Sequence, residues 1–196
     1  MFFKTSRQQQ RGVTLIELIL FIMIIGIALT AILGVMNVTT RHSADTLRDK
    51  QALMIAEGLL EEVQLARFTF CDPASDNFDT AASNSACTVP EAWGPEPGNT
   101  RPYDNINDYV TAANTATAAF NNSGGALTDA NGRALGVAGY TASVTITPDT
   151  IGPSGMQVGA GGTAADTDML RIRITVTYDN TSLSLDGYRA RYAPNN

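Results

Sequence analysis

Three small groups of side chains carry the chemical potential of this 196-residue chain. The first is a single acid. Glu17 is the only formal charge between Arg11 and Arg41, in a run otherwise dominated by Leu, Ile, Val, Met and Phe. A carboxylate at bilayer depth costs on the order of 2–3 kcal/mol, so an acid there calls for a positive partner at the same depth. The second group is Cys71, Cys87 and His42, the only cysteines and the only histidine. They are too few for a zinc centre, and His42 lies too near the apolar run to serve a Cys–His nucleophile pair. The third group is carboxylates. Glu61 and Glu62 are adjacent in a helical pattern, so they point to different sides of the helix and make no paired-acid active site. Both are expected to face water. Asp104, Asn105, Asn107 and Asp108, within Tyr103–Tyr109, offer hard oxygen ligands of the kind calcium takes. The tyrosines and Ile106 of the same stretch suit a loop covering a helix, and both readings stand. Asp129, Asn131 and Gly132 repeat the fragment, but no complete calcium loop follows. The glycine-rich stretch Gly152–Gly162 has neither a Walker lysine nor a G-x-G-x-x-G pattern and reads as a connection. The chain is therefore not expected to be an enzyme. No cofactor is expected either, with calcium the one ion the acidic stretch suits.

The element that positions Glu17 is the run from Arg11 to Thr40. At about 1.5 Å per residue a helix of that length crosses a hydrocarbon core roughly 30 Å thick. It is preceded by Lys4, Arg7 and Arg11 with Gln8, Gln9 and Gln10 between them. The run is too long for the apolar part of a secretory signal peptide, and no small-residue cleavage site follows it. The basic flank places residues 1–12 on the cytoplasmic side and everything beyond Arg41 across the membrane. The whole chain carries a formal charge of −6, and the part beyond the basic flank is more acidic still. That balance argues against nucleic acid as a partner, which calls for a basic footprint. Cys71 and Cys87 then lie in an oxidising compartment, so a disulfide between them is expected. Closing such a loop stabilises a fold by roughly 3 kcal/mol.

Beyond the apolar run, Leu47, Ala52, Ile55, Ala56, Leu59, Val63 and Ala66 recur at helical spacing, an amphipathic stripe for packing on a globular domain. One helix from about Thr14 to Arg67 would be roughly 80 Å long. Gly26, Gly34 and Gly58 are its weak points, each worth about 1 kcal/mol against Ala. Phe68 to Tyr109 holds five prolines and the only Trp, Trp93, and reads as loops. The last third alternates with period two. Tyr140, Ala142, Val144 and Ile146 share one face, as do Leu170, Ile172, Ile174, Val176 and Tyr178. Asp179-Asn180-Thr181 turns the chain into a last strand carrying Leu183 and Leu185. Tyr188, Ala190 and Tyr192 fall on the other parity, so a bulge is expected at Asp186-Gly187. The fold class is α+β: a long helical spine against a C-terminal antiparallel sheet.

The segment Arg11-Gly-Val-Thr-Leu-Ile-Glu17 and the apolar run behind it resemble the processing motif of type IV prepilins and type II secretion pseudopilins. The resemblance implies cleavage by a prepilin peptidase between Gly12 and Val13 and N-methylation of Val13, although Val13 stands where the family often has Phe. It divides the chain into a cleaved leader (1–12), a membrane or filament-core helix (13–40) and a periplasmic pilin-like domain (41–196). Glu17 gains a partner in this reading. The new Val13 amine lies one helical turn away, and the same amine on a neighbouring subunit would set the axial register of a filament. In pilin-like filaments the first helix can unwind near its middle. Gly34 is the position expected to do so here, with close helix packing at small residues the alternative.

A second resemblance is carried by Ala56-Glu-Gly-Leu-Leu-Glu-Glu-Val63, Tyr103–Tyr109, the paired strands and Leu183-Ser-Leu-Asp-Gly-Tyr-Arg-Ala-Arg-Tyr-Ala-Pro194. These segments look like the minor pilin D family of mannose-sensitive haemagglutinin pilus systems. The implied partners are prepilin peptidase, other major and minor pilins, an inner-membrane assembly platform and the membrane itself. The implied location is the bacterial inner membrane before assembly and the periplasm or filament after it. A minor pseudopilin of a type II secretion system shares the anchor and Glu17 and remains the alternative. An anchored periplasmic enzyme or binding protein is the third reading, and it lacks a chemical constellation.

Overall fold

The computed structural model describes residues 12–154 and 168–191, without the side chains of residues 41–45. The basic residues Lys4, Arg7 and Arg11, the imidazole of His42, most of Gly152–Gly162 and Tyr192 lie outside the described residues. Helix α1 runs Leu15–Leu65, followed by 3₁₀ turns Asn84–Ala86 and Ile106–Tyr109 and by strands β1 (Tyr140–Pro148), β2 (Met169–Tyr178) and β3 (Thr181–Ala190). The architecture is α+β, as the patterns predict.

The helix begins where Thr14 places its hydroxyl to accept the Glu17 N–H at 3.4 Å, relieving one of the unpaired donors of the first turn. It then continues without a break past Gly26, Gly34 and Gly58. The unwinding expected at Gly34 is therefore not a feature of the isolated chain. Within the apolar stretch the hydroxyls of Thr30, Thr39 and Thr40 donate to the carbonyls of Ile27, Val35 and Met36 at 2.8, 2.9 and 2.8 Å. These back-bonds satisfy polar groups that an apolar surrounding would leave orphaned.

The chain divides after Arg48 into two compact units. The first is the apolar part of α1, taken up below. The second, from Asp49 onward, contains the core. Here α1 buries Ala52, Ala56, Leu59, Leu60, Val63 and Ala66. Leu47 is the exception to the expected stripe: it is 67% exposed. Two hydrogen bonds tie α1 to the sheet just beyond it, from Tyr178 Oη to Asp49 and from Tyr140 Oη to Gln51 at 3.0 Å. Leu60 is the residue the stripe missed.

The three strands form one antiparallel sheet in the order β1-β2-β3. Tyr140 pairs with Tyr178 and Ile146 with Ile172 across β1 and β2. Their inward side chains Val144, Ile146, Ile172, Ile174 and Val176 are fully buried, as the alternation predicts. Asp179 and Asn180 have φ of 44° and 63°, the positive values that a two-residue hairpin turn of type I′ demands. The bulge expected in β3 is absent. The β2–β3 register is continuous from Tyr178↔Thr181 to Met169↔Ala190, so Leu183, Leu185 and Gly187 share one face and Tyr188 lies on the other, 46% exposed. The apparent change of parity has a steric cause. A Cβ on Gly187 would meet Gln64 Nε2 at 2.6 Å and Leu60 Cδ1 at 2.9 Å. Helix α1 comes so close to β3 there that any side chain would have to displace Gln64 or Leu60, and the inward position reads as polar because it holds glycine.

Between α1 and β1 the chain is mostly loop. Ile106, Tyr109, Val110, Phe120 and Leu127 nevertheless join the helix and the sheet in one apolar cluster, with Trp93 and Tyr103 packed against it.

Candidate functional site

Gly12, Val13 and Thr14 precede the first helical residue, and all three are exposed. The Gly12–Val13 bond thus lies outside the helical hydrogen-bond ladder. Glu17 stands in the first turn of α1, exposed, where the unpaired N–H groups give the helix its positive end. Behind it, Leu15–Thr40 is a helix long and apolar enough to cross a membrane. Its large apolar side chains from Val13 to Val38 are between 39% and 78% exposed, on every side of the helix. A helix apolar all round has to be covered by lipid or by other helices.

The paired acids downstream separate as their spacing requires, but only one of them faces water. Glu61 is exposed. Glu62 instead takes a two-pronged ion pair from Arg101, 2.6 Å from Nε to Oε1 and 2.7 Å from Nη2 to Oε2. The two side chains are 10% and 8% exposed. Tyr109 Oη donates to the same carboxylate at 3.0 Å, and Arg101 donates onward to Thr128 Oγ1 and O at 2.7 and 2.8 Å. The Arg101 guanidinium also lies 5.0 Å from the centre of the Phe120 ring. Burial and the Glu62 carboxylate push the Tyr109 hydroxyl above its usual range. The expectation that Glu62 faces water is corrected: a helix surface shows period but not what a distant loop brings to it.

Cys71 and Cys87 are joined in a disulfide. Beside it Glu91 N–H donates to Phe70 O at 3.0 Å and Asp72 N–H to Val89 O at 3.1 Å, and Asn84 Nδ2 bonds both Phe70 O and Glu91 O. The closed loop thereby fixes Asp72 and Glu91 at 7% and 4% exposure.

The acidic loop is pinned to the end of α1. Arg67 N–H donates to Asp104 O at 3.2 Å and Ile106 N–H to Arg67 O at 2.9 Å. Ile106 and Tyr109 are buried, so the loop does cover the helix, as one of the two sequence readings held. The carboxylate oxygens of Glu96, Asp104 and Asp108 also converge to within 4.8 Å of one another, as do those of Asp72, Glu91 and Glu96. Burial, with the charges of Asp108 and Glu96, pushes Glu91 up to about 8. Burial, then the charge of Glu96 and a carboxyl–carboxylate contact with Asp104 that favours the protonated form, pushes Asp108 up to about 8. Of the four oxygen donors proposed from sequence, Asn105 is diverted. Its amide donates to Thr69 Oγ1 and Glu91 Oε2 at 3.1 and 2.8 Å, and its oxygen accepts from Ile106 N–H at 2.7 Å. Beside Asp104 and Asp108 stand Glu96 and Asn99 rather than Asn105 and Asn107, and sequence reasoning missed both Glu96 and Asn99. Their signal was the turn Glu96-Pro-Gly-Asn99, closed by Asn99 N–H to Glu96 O at 2.9 Å. Pro97 and Gly98, with φ of 93°, occupy the positions a type II turn reserves for them. In the Asp129 fragment the carboxylate accepts from Asn131 and Arg133 N–H at 3.0 and 2.8 Å, which makes it the lock of a tight turn.

Residues 7–33 match the family described as the prokaryotic N-terminal methylation motif. No curated protein and no solved structure matches the chain. The motif and the apolar helix it opens fit membrane anchoring, and together they support a type IV pilin-like or pseudopilin protein.

Proposed function

We propose that this chain is a minor subunit of a type IV pilus-like filament, with a structural rather than a catalytic task. The observation that carries the reading is the methylation-motif match over residues 7–33, which ends inside a helix whose apolar side chains are exposed all round. In this account a prepilin peptidase cuts between Gly12 and Val13 and methylates Val13. The helix from Val13 then stays in the inner membrane until an assembly platform draws it into a filament core of other pilins. Glu17 pairs with the N-terminal amine of a neighbouring subunit and sets its depth. The domain beyond residue 40 is periplasmic and then filament-borne. The resemblance of the AEGLLEEV, YDNINDY and LSLDGYRARYAP segments to the minor pilin D family favours a pilus of the mannose-sensitive haemagglutinin type, used in attachment.

The experiment is to tag the full chain, express it with its peptidase and a complete set of pilus subunits, and shear the cell surface. The reading predicts the processed chain in the sheared filaments at a small fraction of the major subunit, and weaker surface attachment when it is deleted. A processed chain held in the periplasm, with deletion impairing protein export instead, would move the assignment to a secretion pseudopilus. A chain absent from both filament and export phenotypes would overturn the reading.

A further inference from the structure

The acidic loop carries an inference independent of the filament reading. Five carboxylates form two groups that share Glu96: Asp104 and Asp108 with it in one, Asp72 and Glu91 in the other. None of the five pairs with Lys or Arg among the described residues. Asn99 Nδ2 stands where three of them meet, 3.2 Å from Glu96 Oε2, 2.8 Å from Asp104 Oδ1 and 3.1 Å from Asp108 Oδ2. An amide nitrogen has two hydrogens and cannot serve three acceptors well. The oxygens left over are buried ones. Asp108 is 2% exposed and its Oδ1 accepts no hydrogen bond, while Glu91 is 4% exposed and the same holds for its Oε1. A fold that buries two acids, leaves an oxygen of each unpartnered and supplies no basic residue is arranged for a positive charge from elsewhere.

We infer that Glu96, Asp104 and Asp108 bind a hard divalent cation of the calcium class, with the Asn99 amide turned over to offer its oxygen as a fourth ligand. Calcium–oxygen distances are about 2.3–2.6 Å, so the three carboxylates need to close by only a few tenths of an ångström around the point they already share. Magnesium demands a tighter octahedron at about 2.0–2.1 Å, which this wider set suits less. Asp104 is exposed and leaves a path for the ion and its remaining waters. Bound there, the cation fastens the Glu96–Asp108 loop upon itself. Through the backbone bonds of Arg67 to Asp104 and Ile106, it also fastens that loop to the end of α1.

The test uses the full chain in detergent, stripped with a chelator and titrated with calcium chloride by calorimetry, with thermal unfolding in parallel. One calcium per chain is expected, with about tenfold or greater preference over magnesium and a Tm several degrees higher at saturation. Asp104→Asn, at an exposed position, is expected to keep the circular dichroism of the wild type and lose about tenfold or more in affinity. Glu61→Gln, an exposed acid outside the cluster, is expected to bind as the wild type does. A folded wild-type chain that gives neither heat nor a Tm shift at about 5 mM calcium, above the range of weak extracellular sites, would overturn the inference. Undiminished binding by both Asp104→Asn and Glu96→Gln would overturn it as well.

Discussion

Glu17 and Glu62 are both acids on one helix, and their surroundings give them opposite tasks. Glu62 lies in a finished network, so its loss is a folding defect. Glu62→Ala would leave the Arg101 guanidinium buried without its counter-charge, and removing one partner of such a pair costs about 3–5 kcal/mol. A fall of that size in unfolding free energy by denaturant titration is the expected result; a change under about 1 kcal/mol would show the pair to be dispensable. Among the described residues Glu17 has no such network. It is exposed in the first turn of α1, and its backbone N–H donates to Thr14 Oγ1. Glu17→Ala removes a charge that costs about 2–3 kcal/mol at bilayer depth. Membrane insertion and processing should therefore proceed as well as in the wild type, while recovery in sheared filaments should collapse. Recovery of the variant at the wild-type level would contradict the docking role.

The elements of regular structure were legible because their periods are set by local geometry. The 51-residue helix and the three strands declare themselves through spacing of three to four and of two. What lay hidden was wherever one element touches another. Gly187 looked like a change of parity, and only the closeness of Leu60 and Gln64 shows it to be a contact point. Gly187→Ala is accordingly expected to lower stability by about 1–3 kcal/mol through overpacking against α1, without disturbing the hairpin turn. The candidate cation site was half legible. The acids of Tyr103–Tyr109 stand together in sequence, but Glu91 and Glu96 come to them through a disulfide-closed loop and a Pro-Gly turn that no local pattern connects to them. The Cys71–Cys87 pairing was readable because the chain holds no other thiol. The cysteines are 16 residues apart, so the Cys71→Ser, Cys87→Ser double variant should lose roughly 3 kcal/mol in chemical denaturation. A variant as stable as the wild type would show that backbone and Asn84 hydrogen bonds hold that loop unaided.

At the scale of the whole molecule, the protein holds two surfaces of opposite kind. The unit from Asp49 onward buries most of its large apolar side chains in one cluster, as a folded domain must. The helix from Leu15 to Thr40 exposes nearly all of its own among the described residues. On the proposed function such a molecule is finished only in company, first of lipid and then of other helices. The step proposed to prepare it for the second company is the removal of the basic leader, and there the account stands or falls. The most direct test is to coexpress the full chain with a prepilin peptidase and measure its intact mass and N-terminal sequence. The account predicts a protein beginning at N-methylated Val13, and a Gly12→Ala variant that remains uncut. A wild-type chain that keeps its leader beside an active peptidase, or one cut beyond Thr40 so that the helix is lost, would contradict it.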